Sequence, residues 1–399
     1  MNILFLTTRL PHPPWRGDRL LCYHVLRALA QRHDVTLVSF TDERDRPESI
    51  DVLRSLAAGI HLQRLSRLRS WLQAWLGVFS HLPSQVSYYR SPAMARRIQR
   101  LCAENAFDAI IVFMLRGAPF VRHIPHPAKI LLLGDSFGLL MGRASIHQPW
   151  WRRPGFEWER RRVVAFEESV TRDFRETWVL SPVDLEDLQR RGCPNLGLVT
   201  IGVDERLFDL PIRARTGTRL TFLGNLSVPH NIDAAIVLAR RILPLVRKVF
   251  PAATLELAGA DPTRVVRSLA RIAGVTVTGP LPDLVGLWER STLMIAPLRF
   301  SGGVQNKVLE SMAAGVPTIA TACVAQGVRG RDRETLIVAD SEDSIAQAVV
   351  DLLRRPGDYV EMSRLARDHV RAHFSWDSVV DRLEVLLHGT PDPTHAAKD

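Results

Sequence analysis

Cysteine is scarce and scattered: Cys22, Cys102, Cys193 and Cys323 are the four in 399 residues, with no pair at metal-ligand spacing. That argues against a disulfide framework or a zinc knuckle and fits reduced thiols in a cytosol. The opening run Met1–Arg9 lacks a basic leader and is too short in apolar residues for an export signal. No uninterrupted apolar stretch is long enough to span a bilayer. There is no Asp-x-Asp pair of the kind that holds a metal, and no internal repeat or low-complexity tract. Lysine is scarce too, so the formal charge of +10 is carried almost wholly by arginine. Such a surplus favours anionic partners: nucleic acid, phosphorylated ligands or an acidic membrane face.

What is present describes an ordinary globular protein, with 46% hydrophobic and 24% charged residues. The length exceeds one compact core, so two domains are expected. Asn2–Thr8 reads as a strand, Pro11, Pro13, Pro14 and Gly17 as a loop, and Leu21 to Leu29 as a helix before a strand at Val35–Phe40. Further strands are predicted at Ala109–Phe113, Lys129–Leu133, Thr177–Leu180 and Gly197–Ile201, with Ser181 capping a helix that starts at Pro182. The second half repeats the alternation: strands at Leu220–Leu223, Thr254–Ala258, Val275–Thr278, Leu293–Pro297, Thr318–Ala320 and Thr335–Ala339. Its clearest helices are Ile232–Phe250, Ser344–Leu353 and Tyr359–His373. Alternation of this kind implies α/β architecture, two doubly wound Rossmann-like domains with ligands at the carboxyl ends of parallel sheets. The linker falls in Asp209–Thr218, separating domains at 1–208 and 216–374, and the polar tail 389–399 reads as disordered.

The stretch "SGGVQNKVLESMAAGVP", residues 301–317, lies between two predicted strands. Glycines at 302 and 303 permit close backbone approach, and a helix over Val304–Ala313 would present free amides to an anion. Gly303, Lys307 and Glu310 share one helical face. Lys307 suits a diphosphate, and Glu310 one turn on can accept both ribose hydroxyls of a nucleotide. The competing reading is a solvated Lys307–Glu310 pair on a surface helix.

"PLRFSGGVQNKVLESMAAGVPTIAT" resembles the donor-binding segment of the retaining, nucleotide-sugar-dependent glycosyltransferases of family 4, which have the GT-B fold of two such domains facing a cleft. "LPHPPWRGDR", "IGVDERLF", "FLGNLSVPHNIDAA", "VTVTGPLPDL" and "FSWDSVVDRL" agree in order, so the resemblance covers almost the whole chain. "RGDR", "LLLGDS" and "EWERRRVVAFEE" are most similar to bacterial sugar transferases of exopolysaccharide and PEP-CTERM protein-sorting loci. The resemblance implies a nucleotide-sugar donor, no further cofactor and no metal. It places Gly224, Asn225, His230, Gly279, Gly302, Gly303, Val304, Gln305, Asn306, Lys307 and Glu310 at the donor. Glu310 matches the family's second motif glutamate. The first would stand at Gly302, and Asn225 and His230 occupy positions where relatives carry an arginine and a lysine. On the acceptor side it implies Gly17, Asp18, Arg19, Asp135, Ser136 and Ser181, with Asp135 or Asp18 orienting the acceptor hydroxyl, unless Asp135 merely caps a helix or turn. It also implies that a terminal helix, 375–388, completes the first domain.

Residues 62–79 place Leu65, Leu68, Leu72, Trp75 and Phe79 on one helical stripe beside Arg64, Arg67 and Arg69. Packing into the core with snorkelling arginines is the expected arrangement; a helix on an anionic membrane surface, suited to a lipid-linked acceptor, is the alternative, and an oligosaccharide acceptor stays open. "QPWWRRPGFEWERRR" mixes aromatics with arginines as nucleic-acid binders do, but Glu157 and Glu159 interrupt it, and no nucleic-acid partner is expected. Three functions therefore compete: a glycosyltransferase first, a nucleotide-sugar epimerase of the same fold second, a basic nucleic-acid-binding protein third.

Overall fold

The structure, a computed structural model, describes residues 1–14, 17–43, 45–146, 148–199, 201–281, 283–300 and 304–387. The expected tail 389–399 and the glycines at 302 and 303 lie outside the described residues, as does the side chain of Asp18. The chain divides into two compact units, Met1–Thr200 with Trp376–Asp399, and Ile201–Ser375.

The first unit is built on seven strands: β1 (Asn2–Thr7), β2 (Asp34–Thr41), β3 (Gly59–Arg64), β4 (Ala109–Phe113), β5 (Lys129–Gly134), β6 (Glu176–Val179) and β7 (Leu196–Leu198). Their order is β3-β2-β1-β4-β5-β6-β7 and every pairing is parallel. Helices cover both faces, so central strands read as continuous apolar runs, and Ile3 to Leu6 are wholly buried. The helix Trp376–Leu387 belongs to this unit: Trp376 stacks on His24 with ring centroids 4.1 Å apart, and His33 lies 3.1 Å from Glu384.

The second unit carries β8 (Arg219–Leu223), β9 (Thr254–Ala258), β10 (Val275–Gly279), β11 (Leu293–Ala296), β12 (Thr318–Ala320) and β13 (Ile337–Val338), ordered β10-β9-β8-β11-β12-β13 and again all parallel. In each sheet the strand order reverses once, between β1 and β4 and between β8 and β11. Those reversals open the crevices where doubly wound sheets take ligands.

Three expectations change. The segment 209–218 is no free linker: the buried Arg215 guanidinium donates to the carbonyls of Trp288 (2.8 Å) and Ser291 (2.6 Å), and Leu210 accepts from Arg367 at 2.6 Å. Those bonds tie it into the second unit, so the division falls at Thr200/Ile201. The helix expected over Ile232–Phe250 is three pieces, Pro229–Val237, a π turn Leu238–Ile242 and Leu243–Arg247. Pro244 has no N–H to continue the ladder, which explains the irregular turn before it.

The apolar stripe of 62–79 does not pack into the core. Leu62 lies in β3, and the helix spans Arg67–Leu76 with a 3₁₀ turn Gly77–Phe79. Its small face packs inward instead: Ser70 is its buried residue, and a Cβ on Gly77 would meet Ser87 at 2.5 Å. The large side chains are left outside, with Leu68 85%, Trp71 68%, Trp75 63% and Phe79 82% exposed.

Backbone crowding sets the ceiling of the second sheet. At Gly259, φ is +131° and a Cβ would stand 1.9 Å from the Gly224 carbonyl oxygen. Gly259→Ala should therefore lower stability by about 1–3 kcal/mol, the usual cost of overpacking, whereas Gly357→Ala, which meets nothing within 4 Å, should be near neutral. Urea unfolding monitored by circular dichroism checks both; equal midpoints for the two variants would show that the crowding is relieved at no cost.

Candidate active site

In the second unit the loops after β8 and β11 flank the strand reversal, and the helix Asn306–Ala313 starts beside them. It begins two residues later than the spacing predicts, leaving Val304 and Gln305 as extended backbone that leads in, with Gln305 in the capping position. Lys307 and Glu310 are not a surface pair. They are 7% and 8% exposed, and no ion pair joins them. Lys307 donates to Asn231 Oδ1 at 2.6 Å and sits 4.9 Å above the centre of the Phe222 ring. Glu310 has no hydrogen-bond partner among the described residues; Lys307 and Asp204 act on it through charge alone.

Burial is the main cause of the site's electrostatics. It lifts Glu310 to about 7 against the pull of the Lys307 charge, and lowers Lys307 to about 7 against the pull of Glu310. His230 is held near 3 by burial and by Lys307, so it is a neutral ring and not a substitute for a clamping lysine. It meets Phe300 edge-on, with centroids 6.0 Å apart. Asn225 is engaged within its own turn, accepting from Ser227 N at 3.0 Å and donating to Asp261 at 3.2 Å. Gly224 receives its position from the strand ends, donating its N–H to Ala258 O, and Gly259 does the same to Gly279 O. The sequence reading missed two residues. Asn231 lies one position beyond His230, and Arg299 grips Asp233 through Nε at 2.7 Å and through a second guanidinium contact. Arg299 was legible as the basic residue of "PLRFSGG"; its partner was not.

In the first unit Gly17 is the first residue of the helix Gly17–Ala30, just after the loop that follows β1. Arg19 reaches Asp45 at 3.4 Å and, with Thr8, Arg9, Cys22, Phe113 and Met114, lines a small hollow at the ends of β1 and β4. Met114 holds φ at 67°, a strained conformation for a residue with a side chain. Ser136 and Ser181 are fully buried caps: Ser136 accepts from Leu139 N at 3.2 Å and Ser181 from Asp184 N at 3.1 Å. Their hydroxyls serve the fold, bonded to Asp187 and Asp184 respectively. Asp135, between β5 and the helix Phe137–Ser145, has no hydrogen bond among the described residues. Burial and the nearby Asp184 charge raise it to about 7. The backbone around it is pinned on the other side: Asp184 accepts Ser136 N at 3.0 Å, and Glu167, paired with Arg191 at 2.7 Å, accepts Phe137 N at 2.7 Å.

Two family profiles match the two halves of this chain: one described as "Glycosyl transferase 4-like domain" over residues 21–204, the other as "Glycosyl transferases group 1" over 217–355. The chain belongs to the group 1, family-4-like glycosyltransferases. The glycosyltransferase is 23% identical over 397 residues to an uncharacterised 44.6 kDa protein in the cps region of Klebsiella pneumoniae, covering 96% of this chain and 98% of that one. It is 31% identical over 198 residues to the GDP-mannose-dependent alpha-(1-6)-phosphatidylinositol monomannoside mannosyltransferase of Mycobacterium tuberculosis, where the match takes in 45% of this chain and 50% of the relative. The chain thus spans about half the length of that relative. Among solved structures it is similar to sucrose-phosphate synthase from Thermosynechococcus elongatus (TM-score 0.71, 16% identity, all of both chains). It is also similar to Anabaena HepE in complex with UDP-glucose (TM-score 0.70, 13% identity, 98% and 100% covered). At such identities these two establish the GT-B fold.

The buried pair makes the ligand-free glycosyltransferase pH-sensitive in a specified direction. Glu310 holds its proton more tightly folded than unfolded, so stability falls as pH rises from about 4.5 to 7. Lys307 holds its proton less tightly folded, so stability rises with pH from about 7 to 10.5. Glu310→Gln should remove the falling limb and be more stable than the parent at pH 7.5 by about 1 kcal/mol or more, since one pKa unit is worth about 1.4 kcal/mol. Denaturant midpoints at pH 5 and 7.5 measure this; parallel pH dependence in the two proteins would refute it.

Proposed function

We propose that this glycosyltransferase moves a sugar from a nucleoside-diphosphate donor, with retention of configuration and without a metal, to a lipid-linked or oligosaccharide acceptor in cell-surface polysaccharide assembly. The observation that carries the donor reading is Glu310, a buried carboxylate with no hydrogen-bond partner among the described residues, standing one helical turn beyond a buried lysine. Holding a carboxylate in a poorly hydrated site without a hydrogen-bond partner is unfavourable, and two vicinal ribose hydroxyls would satisfy both of its oxygens. The acceptor and the polysaccharide setting draw on the relatives: one is named for a cps region and another for a phosphatidylinositol monomannoside. Residues 62–79 would bring the enzyme to an anionic membrane surface, where a lipid-linked acceptor resides. Among the described residues no helix is long and apolar enough to cross a membrane.

In this mechanism the bond between the anomeric carbon and the diphosphate oxygen breaks, and negative charge grows on the leaving phosphate. Lys307, whose ammonium form burial disfavours, gains its proton and its charge partner together when the diphosphate arrives. The amides leading into Asn306–Ala313 add fixed positive dipoles. The acceptor oxygen attacks the anomeric carbon from the leaving-group face, and its proton passes to the departing phosphate oxygen. We assign the orientation of that hydroxyl to Asp135, whose raised affinity for a proton and lack of a hydrogen-bond partner suit an acceptor contact.

Thermal shift with UDP and GDP should raise the melting temperature with one of the two, since ligands of the native state stabilise it. Asp135→Asn should keep that shift while turnover falls about 10²–10⁴-fold; a nucleotide series without any shift would remove the donor reading, and full turnover by Asp135→Asn would remove the acceptor assignment.

A further inference from the structure

Eleven of the fourteen large hydrophobic side chains exposed among the described residues lie in two segments of the first unit, 68–79 and 146–158. Far apart in sequence, one end of each segment meets the other in space: the turn 77–84 packs on the helix Arg153–Thr171, which carries Trp158. Arg162 donates to the carbonyl of Ser80 at 2.9 Å and to that of Gly77, and Glu159 accepts the Ser84 N–H at 2.6 Å. Between them lies an open cleft of about 420 Å³, with Phe79 and His81 on one wall and Trp158 and Arg161 on the other. Trp150 stands 81% exposed at the start of the second segment, and the Arg152 guanidinium lies 4.5 Å over the Trp151 ring.

Charge selects the occupant. Arg67 is paired with Asp42 and Arg161 with Glu157 at the rims, but 52–103 and 136–156 contain no acidic residue of their own, and they place Arg69 beside Trp71 and Arg152 and Arg153 beside Trp151 in the chain. Tryptophans at the level of lipid headgroups, with arginines reaching the phosphates, are the side chains of an interfacial surface. A second copy of this chain would meet the same positive charge and be repelled.

We propose that 67–79 and 148–158 form one two-part docking face for an anionic bilayer, in which Trp150 and Trp151 are as necessary as Trp71 and Trp75. This deepens the lipid-linked acceptor reading and rests on it only for its purpose; the binding itself is independent of donor chemistry. The test is co-sedimentation of the full chain with phosphatidylcholine vesicles, with and without phosphatidylglycerol. Binding should require phosphatidylglycerol and weaken as salt rises. Trp71→Ser/Trp75→Ser and Trp150→Ser/Trp151→Ser should each lower partitioning about tenfold, and all four together should abolish it, with melting temperatures unchanged because these side chains are exposed. Unchanged partitioning of Trp150→Ser/Trp151→Ser would overturn the two-part face. So would absence of binding to the anionic vesicles, or a dimer in sedimentation that the same substitutions dissociate. Loss of every nucleotide response with vesicle binding intact would instead sink the donor reading and leave the docking face standing.

Discussion

A carboxylate buried without a hydrogen-bond partner is expensive, and Glu310 is such a group. Its cost can be borne in two ways: by taking up a proton, which its shift to about 7 expresses, or by receiving donors from a ligand. Lys307 faces the mirror problem, an ammonium drawn below its normal range in the same interior, with Asn231 and the face of Phe222 as its partners among the described residues. Together they suit a ligand with anionic oxygens at one end and hydroxyl donors one helical turn away, as the proposed nucleotide donor has.

The rest of the second unit holds these two side chains in place. The helix Asn306–Ala313 is buried along its length, and its carboxyl end is closed by two arginines: Arg367 donates to Ala313 O at 2.8 Å and Arg215 to Ala314 O at 3.3 Å. Cations at that end oppose the helix dipole and satisfy carbonyls that would otherwise be orphaned. Arg215 belongs to the segment leading into β8 and Arg367 binds that segment at Leu210, so the helix Asn306–Ala313 and the first strand of the unit are fixed by common residues. In the first unit the three acids Asp184, Asp187 and Glu167 do the equivalent work, pinning the turn around Ser136 and leaving Asp135 as its one carboxylate with no hydrogen bond among the described residues.

Much of this was legible in the sequence, for a physical reason. Strands covered on both faces must be apolar throughout, so Ala109–Phe113, Thr254–Ala258 and Thr318–Ala320 coincide with their predicted spans. The half-buried edge strand β3 lacks that signature and was absorbed into the helical stripe that follows it. The stripe carries its period in the sequence but not its direction: periodicity shows that one face is apolar, not that a core lies under it. Lys307 and Glu310 were legible from their spacing. Their burial, the neutrality of His230 and the roles of Asn231 and Arg299 were not, because each depends on a neighbour more than sixty residues away in the chain.

If the two ribose hydroxyls of a nucleotide complete Glu310, a double-mutant cycle in calorimetry reads the coupling: the better-binding nucleoside diphosphate and its 2′,3′-dideoxy analogue, each against the parent protein and Glu310→Gln. Hydrogen bonds to a charged group are worth about 1.5–3 kcal/mol, so loss of the hydroxyls should weaken binding to the parent at least tenfold and have little effect on the variant. Equal losses in both proteins would place the ribose elsewhere and contradict the account.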